Sequence, residues 1–152
     1  MSQRPNVSDD LLWEIVRSNN AYLVSRKTGG GAYFSRDPFN LANKHSRTHA
    51  GFVNSKAVSV QPAGDSGVSM STKKTDKSNT PAKSLNTHKF KSGRGNQKVY
   101  KSIADAVGKN GYRGDLNQAA VSRASHILDS QRPKKDVPAS KPRGLKGRKE
   151  QS

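Results

Sequence analysis

Positive charge is spread unevenly along this chain, and its placement limits how much of the chain can fold. The 152 residues include 28 Lys plus Arg against 11 Asp plus Glu, a net charge of +17. Residues 1–30 carry +1, 31–72 carry +2, 73–101 carry +8, 102–130 are neutral and 131–152 carry +6. The two basic blocks are also poor in apolar residues: the first offers little beyond Leu85, Phe90, Val99 and Tyr100, the second only Val137, Ala139 and Leu145. Ordering backbone costs ~1–2 kcal/mol per residue, and neither block buries enough apolar surface to offset that alone. Hydrophobic residues make up 30% of the chain, against about 45–50% in ordinary globular proteins, which is enough for one modest core. The three quieter blocks are therefore expected to fold, and the two basic ones to order only in a complex.

Within the quiet blocks, local patterns predict an α+β fold. Ser8 followed by Asp9 and Asp10 is a helix start, and Leu11, Leu12, Ile15 and Val16 follow at helical spacing, giving a helix over about 9–18. Residues 21–25 and 32–35 read as a hairpin around Gly29-Gly30-Gly31, and residues 51–53, 57–60 and 68–71 as further strands. Val99, Ile103, Ala106 and Val107 mark a helix over about 98–108, and Leu116, Ala119, Ala120, Ala124, Ile127 and Leu128 a second over 116–130, with Asp115 placed to cap it. Pro133, Pro138 and Pro142 exclude a helix from the tail. The expected organisation is an N-terminal α+β core over 1–72, a basic extended linker over 73–97, a two-helix segment over 98–130 packing on the core, and a basic extended tail over 131–152. The sheet is expected to be small and mostly antiparallel, with one N-terminal helix, two C-terminal helices and long basic extensions.

Several chemistries find no support. Without cysteine there are no disulfides or thiolate metal sites, which fits a reducing cytosol or nucleus. No apolar run approaches ~20 residues, and the start is polar, so the expectation is a soluble, intracellular chain with no membrane partner. His45 and His49 stand four apart but lack a third ligand, so no metal is assigned. The glycine run has no following Gly-Lys-Ser/Thr, and the acids are not paired as hydrolytic chemistry needs. No catalytic residue, cofactor or small-molecule substrate is expected.

The basic blocks point instead to a polyanion. Lys89-Phe90-Lys91-Ser92-Gly93-Arg94-Gly95-Asn96-Gln97-Lys98 interleaves cations with one aromatic ring and two glycines. Glycine lets backbone approach phosphate, Phe90 offers a ring for an exposed base, and Arg94 can bridge phosphate oxygens. The tail repeats the theme in Lys134, Lys135, Arg143, Lys146, Arg148 and Lys149. If each block neutralises roughly six phosphates, affinity falls on the order of a thousandfold between about 50 and 200 mM salt. RNA is the better target than DNA, because the 116–130 helix, the natural groove reader, has a net negative charge when Asp115 is counted with it.

Two longer sets of residues carry a resemblance. Leu12-Trp13-Glu14-Ile15-Val16-Arg17, Tyr22-Leu23-Val24, Phe34-Ser35-Arg36-Asp37-Pro38-Phe39-Asn40-Leu41 and Asn43-Lys44-His45-Ser46-Arg47 form the first. Tyr112-Arg113-Gly114-Asp115-Leu116, Ala119-Ala120, Arg123-Ala124-Ser125, Ile127-Leu128 and Ser130-Gln131-Arg132-Pro133 form the second. Together they resemble the eukaryotic large-subunit ribosomal protein twenty-eight family. The resemblance implies a non-catalytic component of the cytoplasmic large ribosomal subunit, with nucleolar transit during assembly, partnered by ribosomal RNA and neighbouring ribosomal proteins. It places Arg17, Arg26, Arg36, Lys44, Arg47, Arg113, Arg123 and Arg132 in matched segments as RNA contacts, and reads the hydrophobic residues there, Trp13 included, as core. Asp129 departs from the family's more usual basic residue. A related ribosome-assembly factor is longer and carries cysteines in its N-terminal domain. A ribosome-biogenesis factor and a DNA-packaging or transcriptional protein are the rival readings.

Overall fold

The computed structural model describes residues 7–134 except 29, 65, 78, 79, 92–94 and 110, together with 136. The first helix, α1 (Asp9–Val16), starts where its sequence signal lies: Ser8 Oγ accepts from the Leu11 amide at 3.2 Å, and Asp9 and Asp10 occupy the first turn. It buries Trp13 with Ala50 and Val53, and Leu12, Val16 and Phe52 close around them. Leu11 and Ile15, which share the helical spacing, lie outside this small cluster at 52% and 65% exposure.

The first-half strands form two sheets rather than one. β1 (Leu23–Ser25) and β2 (Tyr33–Ser35) pair antiparallel as a hairpin, with Leu23 opposite Ser35 and Ser25 opposite Tyr33. Gly30 and Gly31 turn the chain between them at φ +83° and +73°, a region open to glycine. Residues 51–53, expected as a strand, form a turn instead. The Asn54 amide and side chain close the turn by donating to the Ala50 carbonyl at 3.1 and 2.8 Å, and Gly51 within it lies so near Phe39 that a β-carbon there would sit 2.2 Å from the Phe39 Cβ.

The second sheet is antiparallel in the order β3 (Val58–Pro62), β4 (Val68–Lys73), β5 (Leu85–Phe90). Alternation sends Val58, Val60, Val68 and Met70 into one core, where they meet Val99, Ile103 and Val107 from the second helical segment and Leu116, Ala120, Ala124 and Leu128 from the third. Ala120 and Ala124, both fully buried, let α3 (Asn117–Ser130) lie close against its neighbours. α2 (Asn96–Ala104) opens into a wider π turn over Asp105–Lys109.

Two further features depart from expectation. β5 lies inside the stretch read as an extended linker: six residues pair with β4, from Lys73 opposite Leu85 to Val68 opposite Phe90. Backbone hydrogen bonding and polar cross-strand contacts, such as Ser71 Oγ to Thr87 Oγ1 at 3.0 Å, hold a strand that buries little apolar surface. β5 is one edge of the sheet, β3 being the other, and its outer side pairs with no other strand among the described residues. Asp115 does not cap α3; its carboxylate is held by Arg113, and a single 3-10 turn over Gly114–Leu116 leads into the helix.

Candidate nucleic-acid interface

Cations that look alike in the sequence fall into separate groups in the fold. The first group is turned inward. Arg113 forms a two-pronged pair with Asp115 (2.8 and 2.7 Å) and donates to the carbonyls of Lys56 and Thr48, both at 2.9 Å. This pairing holds the Asp115 carboxyl below the usual carboxylate range, the hydrogen bond from Arg113 being the main cause. Arg123 reaches from α3 to the carbonyls of Val60 (2.9 Å) and Leu41 (3.0 Å), and burial lowers its pKa. Arg47 donates to Asp10 at 2.8 Å and also to Asn54.

Lys73 belongs to this group as well, although it opens a basic block. Its Nζ donates to the carbonyls of Gly51 (2.5 Å) and Asn54 (3.3 Å) and lies over the Phe39 ring at 5.4 Å. Burial lowers its pKa, opposed by Asp37 and Asp9. Beside it the Tyr112 hydroxyl donates to the Lys73 carbonyl at 2.7 Å, and burial raises the pKa of that phenol. These side chains join the N-terminal lobe to the sheet and α3 largely through backbone carbonyls, part-buried where Lys73, Tyr112 and Arg123 serve them and exposed where Arg113 does.

A second group is exposed but paired along its own helix. Arg17 meets Glu14 at 3.1 Å and Arg132 meets Asp129 at 3.3 Å. Such pairs are worth little in water and yield easily to a polyanion. The departure at Asp129 thus supplies a local partner for Arg132.

The third group is exposed and forms no ion pair among the described residues: Arg26, Arg36 and Lys44 around the hairpin, Lys89, Lys91 and Lys98 around β5 and α2, and Lys134 after α3. Phe90 is half-buried and packs on the main core, leaving its remaining surface to a groove of about 430 Å³ lined also by Lys98, Val99, Lys101, Ser102 and Asp105. Lys101 was not singled out from sequence, although its i, i+3 relation to Lys98 places both on one helical face. Arg94, Lys135, Arg143, Lys146, Arg148 and Lys149 lie outside the described residues.

The two histidines have separate partners. His45 packs between Trp13 (5.0 Å) and Tyr33 (6.2 Å), whereas His49 Nδ1 is 2.9 Å from Ser46 Oγ. Among the described residues no three His, Asp or Glu side chains gather as a metal site. No described helix is long and apolar enough to cross a membrane.

This fold, with inward arginines binding two lobes and outward lysines and arginines left free, extends over a stretch with known relatives. Residues 11–130 match the Ribosomal L28e protein family. The chain belongs to that family. The L28e match takes in every strand, α2, α3 and nearly all of α1, so the family pattern includes β5 as well as the quieter segments. Over 132 residues the chain is 42% identical to the large ribosomal subunit protein eL28 of Schizosaccharomyces pombe, covering 87% of this chain and 98% of that one. It is 32% identical to the Caenorhabditis elegans protein of the same name over 125 residues, 82% of this chain and 91% of the relative. The Dictyostelium discoideum eL28 is 31% identical over 137 residues, 89% and 97% respectively.

Proposed function

We propose that the chain is a non-catalytic structural constituent of the large ribosomal subunit, binding ribosomal RNA through its exposed cations and lying against neighbouring ribosomal proteins. The observation that carries this reading is the 42% identity to a large ribosomal subunit protein across 98% of that protein's length. The surface chemistry agrees with it. Arg26, Arg36, Lys44, Lys89, Lys91, Lys98 and Lys134 are open to phosphate, and the sequence of 131–152, Lys134 included, holds eight Lys and Arg in all. Arg17 and Arg132 can exchange a helical carboxylate for a phosphate. Arg47, Arg113 and Arg123 serve RNA binding mainly by fixing the surface that the others occupy. Work in the cytoplasmic ribosome, with assembly in the nucleolus, follows from the same reading; of the two short basic runs that suit import, Lys73-Lys74 has Lys73 bound to internal carbonyls, which favours Gly147-Arg148-Lys149.

Co-sedimentation tests it. A tagged chain is expected in translating polysomes at about one copy per large subunit, released steeply as salt rises. Presence only in precursor particles would make it an assembly factor, and retention on chromatin lost to DNase but not RNase would make it a DNA-binding protein.

A further inference from the structure

Phe34 was expected in the core, yet it is 46% exposed in the middle of the β1–β2 hairpin. The ladder determines its surroundings. Val24 stands opposite it on one side, and Lys44 bridges to it on the other. Residues paired across antiparallel strands project to the same face, so these three form a row. Backbone hydrogen bonds from Arg26 to Ala32 (3.1 Å) and from Arg36 to Tyr22 (2.9 Å) continue the ladder beyond both ends. Alternation therefore returns Arg26 and Arg36 to the face of Phe34.

On the opposite face Ser35 is buried and Tyr33, itself 60% exposed, meets His45, which meets Trp13. On the face of Phe34, among the described residues, the body touches only the Arg36 end, where Tyr22 packs against Phe52 at 5.4 Å. Arg26, Arg36 and Lys44 are exposed and form no ion pair among the described residues. The adjacent acid does not neutralise them, since Asp37 is buried and its oxygens accept from the amides of Phe39 and Phe52, both at 2.9 Å.

We propose that Phe34 is a stacking platform for an unpaired base of ribosomal RNA, with Arg26, Arg36 and Lys44 meeting the phosphates on either side. An apolar protein surface laid on this face would desolvate three cations without returning any negative charge. A nucleotide supplies both requirements at once, a flat π surface for the ring and an anion for each flank. The inference rests on the ribosomal reading and extends it from the basic extensions to the folded lobe.

The test uses the full chain and a short single-stranded oligouridylate carrying one 5-iodouridine, which crosslinks under long-wave light to an aromatic ring stacked on it. The crosslink is expected at Phe34. Phe34→Leu should abolish it and weaken binding roughly 5- to 100-fold, while Phe34→Trp restores both. Phe34→Leu leaves the salt dependence unchanged, because no phosphate contact is lost; changing Arg26, Arg36 and Lys44 together to Gln lowers the slope by about two. Thermal melting confirms that each variant is folded. Crosslinks only at other residues, wild-type affinity in Phe34→Leu, or no binding of the oligonucleotide by the wild-type chain would each overturn the proposal. So would assembled subunits in which Phe34 is shielded by protein. If Phe34→Leu matches wild type while both enter the large subunit, stacking fails and the ribosomal reading stands; a wild-type chain absent from large subunits removes both.

Discussion

At Gly51 a single hydrogen atom in place of a side chain lets two loops touch. An added methyl group would overlap both the side chain and the backbone of Phe39, 2.2 Å from the Cβ and 2.7 Å from the carbonyl oxygen. Backbone cannot swing aside as a flexible side-chain end can, so Gly51→Ala is expected to cost about 1–3 kcal/mol, read as a lower denaturation midpoint. His49 sets a pH dependence. Burial first, then Lys44 and Arg113, lower its pKa from the ordinary 6.5, with Asp115 opposing. Below about pH 6.5 the unfolded chain binds the proton more readily than the folded one. The contribution is therefore complete above that value and is lost as pH falls toward the lowered folded pKa. His49→Gln should flatten the dependence of the urea midpoint between about pH 7 and 5, and an unchanged dependence would refute this. Neither constraint was legible in the sequence. Gly51 sits among residues that alternate like a strand, and the cations beside His49 include Arg113, brought to it only by the fold.

Among the elements, those with strong local signals were readable and those held by distant partners were not. The Ser8-Asp9-Asp10 start of α1 and the helical spacing from Val99 to Ile103 and from Leu116 to Leu128 place all three helices within a few residues of their observed ends. β5 was missed because it is stabilised by pairing with β4 rather than by an apolar face of its own, and charge density hid its strand character. The internal contacts of the arginines that the sequence placed on RNA were illegible for a related reason: the carbonyls that Arg123 serves belong to β3 and to a loop some eighty residues earlier. Arg123→Met removes these donors and leaves carbonyls at the α3–β3 contact without a partner, which should destabilise the fold by about 2 kcal/mol. The same variant is expected to leave the salt slope of RNA binding unchanged once folded, as measured by filter binding at several salt concentrations. A slope reduced by about one would instead place this guanidinium on phosphate.

For the whole molecule, formal charge overstates what a polyanion can reach in the described part of the chain, since Lys73, Arg113 and Arg123 are spent on backbone carbonyls and Arg47 on Asn54 and a surface pair with Asp10. The tail holds eight Lys and Arg and two acids. Truncation after Gln131, whose side chain holds the Gly67 backbone at 2.8 and 2.9 Å and is therefore kept, should lower the salt slope by roughly five to seven if every cation beyond it meets phosphate, with little change in melting temperature. A slope that survives truncation would locate binding on the folded lobes.

The unpaired outer side of β5 has a consequence away from any RNA. An open strand edge is a template on which a second copy can add itself and begin a growing stack. Lys89 lies within this strand, with Lys83 just before it and Lys91 just after. Two such edges approaching each other bring these lysines together, and their repulsion deters the first docking step. These charges therefore act as gatekeepers while the newly made chain is alone.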